Sequence, residues 1–244
     1  MNQAANQGRS DKDPLDFLLR RPLQDFSKGC LIYGSDKPSS GLYAVIAGRV
    51  KVSTTADDGC QTVGRIVPAE GLFSESCLVG IADGRESAMA LDNVTLMSWS
   101  RAEIEQQIER EPHLGIALSR YLARQCLGLQ DRIESVATQK IPSRVMLGLL
   151  QLAADLGTPT PDGALRVASL TQDAIAEFVG TSRELVTVQM NRLRRLGMCR
   201  YSRRFIDIFA PAIRESLKQQ HISIPPAAEE TMRQARFLEA RSTA

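Results

Sequence analysis

The chemistry available to this chain is carried by arginine. Between Arg183 and Arg204 there are seven arginines, at 183, 192, 194, 195, 200, 203 and 204, against one acid, Glu184. Guanidinium groups packed that densely on and just after a helix make a phosphate-contacting face. No competing chemistry is visible. No nucleophile stands beside a base, no metal-ligand spacing recurs, and no phosphate-cradling glycine loop is present. The only histidines, His113 and His221, are far apart, so an enzyme is not expected. The five cysteines (30, 60, 77, 126 and 199) are odd in number and widely spaced, with no CxxC. That is cysteine usage for a reducing, cytoplasmic compartment.

Two helices and a tight turn must position the arginines. The stretch LTQDAIAEFVGTSRELVTVQMNRLRRL, 170–196, opens with Thr171, whose hydroxyl can cap a helix. Ala174, Ile175 and Phe178 give that helix an apolar face, and Gly180 supplies the corner. Thr181 or Ser182 caps the second helix, whose apolar repeat is Leu185, Val186, Met190, Leu193 and Leu196. This spacing predicts a helix-turn-helix, the shape that sets its second helix into a DNA major groove. MCRYSRRFIDIFA, 198–210, then reads as two short strands turning near Ser202 to Arg204. A hairpin in that place is a wing, and its Arg203 and Arg204 would lie over backbone phosphates, which position a protein without reading sequence.

The 244 residues leave room for two domains, and 43% hydrophobic with 24% charged residues is ordinary for a globular chain. The net charge of +2 is unevenly spread. Residues 1–140 carry 16 basic and 18 acidic groups, and residues 141–212 carry 9 and 6. The longest run without charge, 38–48, has 11 residues, too few to cross a bilayer. Residues 1–13 read as a polar tail, and Pro14 to Phe26 as a short helix with Leu15, Leu18 and Leu19 on one face.

From Ser27 to Trp99, glycines punctuate β-rich runs at 30–33, 42–55, 62–67 and 94–99. These predict a small antiparallel roll, with a hairpin at Asp58-Gly59. Ser100 opens a helix with a capping box to Glu103. After Pro112 a long helix runs from about His113 to Thr138. Its stripe of Leu118, Leu122, Cys126, Leu129, Ile133 and Val136 predicts a coiled-coil-like dimer seam. Ile141-Pro142-Ser143 breaks the helix and marks a hinge. The expected class is therefore α+β. The domains are a tail and short helix (1–24), a β-roll sensor (25–112), a dimerisation helix (113–140), a winged helix-turn-helix (141–212) and an extension (213–244). In that extension Pro225-Pro226 precedes a helical pattern from Ala228 to Ala240 that has no assigned role.

With these parts in this order, residues 25–212 resemble the Crp/Fnr superfamily of bacterial transcription regulators. The sensor half of the resemblance rests on LYAVIAGRVKV, DDG and PAEGLFSE. The other half rests on LTQDAIAEFVGTSRELV, against a family pattern like LT-x-x-E-I-A-x-x-[VL]-G-x-[ST]-R-E-T-V. The resemblance implies that Arg183 reads a guanine and Glu184 accepts from a cytosine, which their donor and acceptor chemistry permits. It makes Thr171 and Ser182 phosphate contacts, with Thr187 and Gln189 as weaker candidates. Val188 stands where the family often has a further arginine, so one guanine contact is missing and a thymine methyl is the alternative.

The sensor departs further. Cyclic-nucleotide-binding members use a cassette Gly-Glu and an Arg-Ser-Ala, where this chain has Ser74-Glu75 and Glu86-Ser87-Ala88. A carboxylate at Glu86 repels the phosphate that an arginine would hold. Leu129 and Gln130 replace the small hydroxyl residues that face adenine in the cyclic-AMP type. Glu75, Arg85, Ser87, Leu129 and Gln130 remain the effector-pocket candidates, for an effector other than cAMP. No cysteine precedes Cys30, against the iron–sulfur members, and no set of axial ligands suggests haem. Cys77 and Cys126 are either thiol sensors or packing residues. The implied partners are double-stranded DNA, a second copy in a homodimer, RNA polymerase and a small-molecule effector; no membrane is involved. Two alternatives stand beside this reading. One is a ligand-sensing dimer without sequence-specific DNA reading. The other is a cyclic-nucleotide-responsive regulator with a divergent pocket, because Arg85 adjoins Glu86.

Overall fold

The computed structural model describes residues 13–224 apart from 58, 60, 81–83, 169 and 203. The chain divides into two compact units, Met1–Cys126 and Leu127–Ala244.

The first unit is a β-roll. Its strands are β1 (Gln24–Phe26), β2 (Leu31–Tyr33), β3 (Leu42–Ala47), β4 (Val50–Thr55), β5 (Gln61–Val67), β6 (Leu72–Phe73), β7 (Glu86–Ala90) and β8 (Val94–Trp99). They form two antiparallel sheets, ordered β1-β8-β3-β6 and β2-β7-β4-β5. Tyr33, Val45, Val52, Phe73, Ala88 and Leu96 fill the space inside the roll. Leu42, Ala44, Leu72 and Trp99 pack outward on Ile104 of α1 (Arg101–Arg110) and on Leu114 and Leu118 of α2 (Pro112–Thr138). Leu42 to Val45 are therefore all buried, because their sheet is covered on both faces. Gly48 turns β3 into β4 at φ +84°, and a Cβ there would lie 2.4 Å from the Asn93 carbonyl.

The second unit is a winged helix. It comprises α3 (Ile141–Leu156), β9 (Thr158–Pro159), β10 (Leu165–Ala168), α4 (Gln172–Val179), α5 (Arg183–Arg195), β11 (Cys199–Tyr201), β12 (Phe205–Ile208) and α6 (Ala210–Gln219). Its sheet runs β11-β12-β10-β9. Pro142 falls in the first turn of α3, where a missing N–H is no loss.

Several expectations need correction. The helix expected over 14–26 is a 3-10 turn at Pro14–Asp16 followed by β1, with Leu18 buried and Leu19 exposed. Leu118 is not part of an exposed seam. It is 5% accessible, inside the core formed with Trp99 and Ile104. Burying a leucine there contributes about 1.5–3 kcal/mol within one chain, which outweighs holding it open for a partner. Leu185 and Leu196, expected on the packed face of α5, are exposed; Val186, Met190 and Leu193 are the buried residues. The boundary drawn at 212 cuts α6, whose Ile213 and Leu217 are fully buried. The polar tail over 1–12, Asp58 of the hairpin, Cys60 and the pattern at Ala228 to Ala240 lie outside the described residues. Among the described residues, no helix is long and apolar enough to cross a membrane.

Candidate nucleic-acid interface

The helix-turn-helix is built by capping. Thr171 Oγ1 accepts from the Ala174 amide at 3.0 Å, and Ser182 Oγ from the Leu185 amide at 3.4 Å. Gly180 ends α4 in the left-handed region at φ +72°. From α3, the Arg144 guanidinium donates to the carbonyls of Val179, at 2.8 Å, and Gly180. A cation on the last carbonyls of a helix complements its dipole and fixes the corner. Arg132, on the last turns of α2, lies 5.0 Å over the Phe178 ring, and burial lowers its pKa.

α5 packs through Val186, Met190 and Leu193. The opposite face carries Glu184, Val188, Asn191 and Arg195, spaced by four, three and four residues. Val188 is 57% exposed, so nothing in its own unit claims it. Arg183 and Thr187 stand on the edge toward α4. Arg183 Nη1 is 3.5 Å from Asp173 Oδ2, and Thr187 Oγ1 is 2.5 Å from Gln172 Oε1. The Glu184 carboxyl is held below the usual carboxylate range by its own backbone amide and by Ser182, with Arg183 adding to both. Gln189 sits on the other edge, in a crevice of about 80 Å³ with Pro142, Met146 and Gln220. It therefore faces α3 and α6 rather than the outward surface. Sequence reading missed Asn191 and counted Arg195 only within the arginine cluster, although a helical wheel anchored on Glu184 and Val188 places both on this face.

The arginine cluster is less free than its count suggests. Arg200 pairs with Asp162 and, at 3.1 Å, with Asp207. Asp207 also takes a two-pronged bond from Arg166, at 2.6 and 2.9 Å, and is 1% exposed. That ion pair with Arg166 holds the Asp207 carboxyl well below its ordinary range. Arg166 stacks on Phe205 at 3.9 Å, so the root of the wing is a paired network. Arg194 lies 5.3 Å over Tyr201, whose hydroxyl donates to Asn191 Oδ1 at 2.9 Å. Among the described residues, Arg192, Arg195 and Arg204 have no ion pair. Arg204 is exposed at the wing turn, where the Ser202 hydroxyl accepts its amide at 3.1 Å. Arg203 lies outside the described residues.

Among the pocket candidates of the β-roll, Glu75 is engaged with its own chain. Arg65 Nη2 lies 2.5 and 2.6 Å from the two oxygens of Glu75. The Tyr121 hydroxyl accepts from Arg65 at 3.4 Å and donates to the Leu72 carbonyl at 2.7 Å. Tyr33 donates to Glu86 at 2.5 Å, and burial, with Glu86 beside it, drives its phenol far above the usual range. Arg85 is exposed and Ser87 half-buried. Leu129 and Gln130 are exposed on α2 and belong to the second unit. Burial, followed by the Glu75 charge, pushes the Cys77 thiol up to about 11, which keeps it a packing thiol at neutral pH. On α2, Cys126, Leu129, Ile133 and Val136 are exposed, Ile133 by 69%.

Comparison with known proteins gives these features a setting. Residues 23–111 match the family model of the cyclic nucleotide-binding domain, and residues 143–212 that of the Crp-like helix-turn-helix domain. The chain is 33% identical over 171 residues to the CRP-like cAMP-activated global transcriptional regulator of Mycobacterium tuberculosis, covering 69% of this chain and 76% of that one. It is 27% identical over 233 residues to the global nitrogen regulator of Synechocystis, covering 90% and 99%. Among solved structures, FixK2 from Bradyrhizobium japonicum shares the fold at a TM-score of 0.69 and 19% identity, covering 81% of this chain and 97% of that one. TTHA1359, a transcriptional regulator of the CRP/FNR family from Thermus thermophilus, has a TM-score of 0.64 and 25% identity, covering 81% and 98%.

Proposed function

This chain belongs to the Crp/Fnr superfamily of transcription regulators, and from that premise we propose that it is a homodimer reading a palindromic DNA site under control of an effector other than cAMP. One observation carries the DNA reading: the exposed face of α5 with Glu184, Val188 and Arg195, the half-buried Asn191 held by Tyr201 between them, and Arg183 at its amino-terminal edge. Groove recognition needs a short set of base-reaching side chains near the start of a capped helix. Arg183 and Glu184 supply the fork and the acceptor for a G·C pair. Thr171, Ser182 and Arg204 supply phosphate contacts, with Arg192 and Arg195 as further cations. Val188 offers a methyl-sized apolar contact in place of a second guanine reader. The test is selection of bound duplexes from a random pool.

The effector reading follows from charge. A cyclic phosphate in the roll would meet the Glu86 carboxylate, which Tyr33 already binds. A ribose hydroxyl would have to displace Arg65 from both oxygens of Glu75. Neither exchange favours a cyclic nucleotide. RNA polymerase is the partner that a regulator of this family would meet on the bound site.

The dimer reading rests on the exposed stripe of Cys126, Leu129, Ile133 and Val136 on α2, at coiled-coil spacing. A residue on a two-fold seam meets its own copy. Mild oxidation with copper–phenanthroline should therefore convert the wild-type protein to a covalent dimer on a non-reducing gel, and Cys126→Ser should stay monomeric on that gel. Absence of a covalent dimer in a Cys30→Ser protein that keeps Cys126 would move the interface away from this stripe.

A further inference from the structure

We infer that Arg132 is a specificity-determining residue for half-site spacing: its guanidinium, laid over the Phe178 ring, fixes the reading helices on the dimerisation helix at one separation. The inference rests on the homodimer and palindromic site proposed above.

Arg132 and the winged helix belong to the same compact unit, Leu127–Ala244. α2 ends at Thr138 and α3 begins at Ile141, so only Gln139 and Lys140 separate them. Two residues outside a helix leave enough freedom in φ and ψ to swing a domain. Among the described residues, α2 does not pack at length along α3 or α4. Side chains must therefore set the angle. Arg132 and Ser135 are half-buried on α2, whereas Leu129, Ile133 and Val136 are exposed. Arg132 thus engages its own chain and leaves the apolar stripe to a second copy.

The Arg132 Cζ lies 5.0 Å from the Phe178 ring centroid, and Phe178 is only 9% exposed. A guanidinium over a largely desolvated ring is held more strongly than one over an exposed ring. Phe178 is in the last turn of α4, just ahead of the Gly180 corner. Arg144 grips that corner from α3, through the carbonyls of Val179 and Gly180. A Cβ on Gly180 would lie 3.1 Å from Arg144 Nη2 and 3.9 Å from Val136 Cγ2. Both α2 and α3 therefore bear on the turn that leads into α5.

Spacing follows from this geometry. In the dimer, α2 meets its copy along the stripe, and the turn that α2 bears on carries each α5. Each added base pair moves the half-sites apart by about 3.4 Å and turns them by about 35°. A reading head held by Arg132 cannot follow that step without losing the ring contact. A head held only by Gln139 and Lys140 can.

Arg132→Ala keeps the helix and removes the contact. The whole chain is titrated against fluorescently labelled duplexes that carry the selected half-sites, with the selected spacer or one base pair more or less. Wild type should prefer the selected spacer. In Arg132→Ala that preference should fall about five-fold, with base preference inside each half-site unchanged. Phe178→Leu removes the ring and keeps apolar bulk. It should lower the same preference, and adding Arg132→Ala to it should change little further. Unchanged spacer preference in Arg132→Ala, equal loss of affinity at every spacer, or additive effects in the double variant overturns the inference. A wild-type protein indifferent to the spacer overturns the dimeric reading, and the Arg132 role with it.

Discussion

Asp207→Asn should cost about 1.5–3 kcal/mol of stability in the winged helix, read as a lower midpoint in denaturant unfolding of the whole chain. Asp207 is 1% exposed and answers two guanidiniums, Arg166 at 2.6 Å and Arg200 at 3.1 Å. An asparagine fits the same space but leaves Arg166, stacked on Phe205, without its carboxylate, while Arg200 keeps only Asp162. The effect has a pH signature. Pairing with Arg166 depresses the folded-state pKa of Asp207, so its contribution is complete above the ordinary carboxylate value. It is lost as pH falls below about 4 through the folded value. The gap between wild type and Asp207→Asn should therefore be constant from pH 6 to 8 and close in acid. A gap that persists at pH 3 would show that packing, not charge, stabilises the wing.

Arg183→Ala should raise the dissociation constant for the best site about 5- to 150-fold per half-site, corresponding to ~1–3 kcal/mol, and relax preference at one base pair. The side chain is 62% exposed, so the fold should tolerate the change with little shift in unfolding midpoint. The base-pair signature is what distinguishes reading from positioning. A lost phosphate contact weakens all sequences alike, whereas a lost guanine fork weakens mainly those that carry the guanine. Equal loss across all sequences would reassign Arg183 to the backbone.

Local chemistry made the helix-turn-helix legible. Thr171, Gly180 and Ser182 each act within four residues, and each occupies the cap or corner that its type predicts. The apolar stripe of α2 was only half legible, because periodicity marks an apolar face without naming what covers it. Leu118 and Ile133 lie on one helix, yet the first packs on Trp99 and the second remains exposed. β7 escaped notice because ESAMA has no β-branched or aromatic residue; its strand state comes from pairing with β2 and β4. The same limit applies to charge. Arg200 counts as a cation in the sequence but is neutralised by Asp162 and Asp207, one of them 38 residues away. The Glu75 partner, Arg65, sits ten residues back on β5, and no motif signals it.

Selection of bound duplexes from a random pool, by the purified full-length protein, tests the DNA reading most directly. Two inverted half-sites with centres 10–10.5 bp apart, about 34 Å, should be enriched, each with a G·C pair that is lost when the selection is repeated with Arg183→Ala. A pool that stays random, or an enriched site without two-fold symmetry, would contradict a dimer that reads sequence through α5.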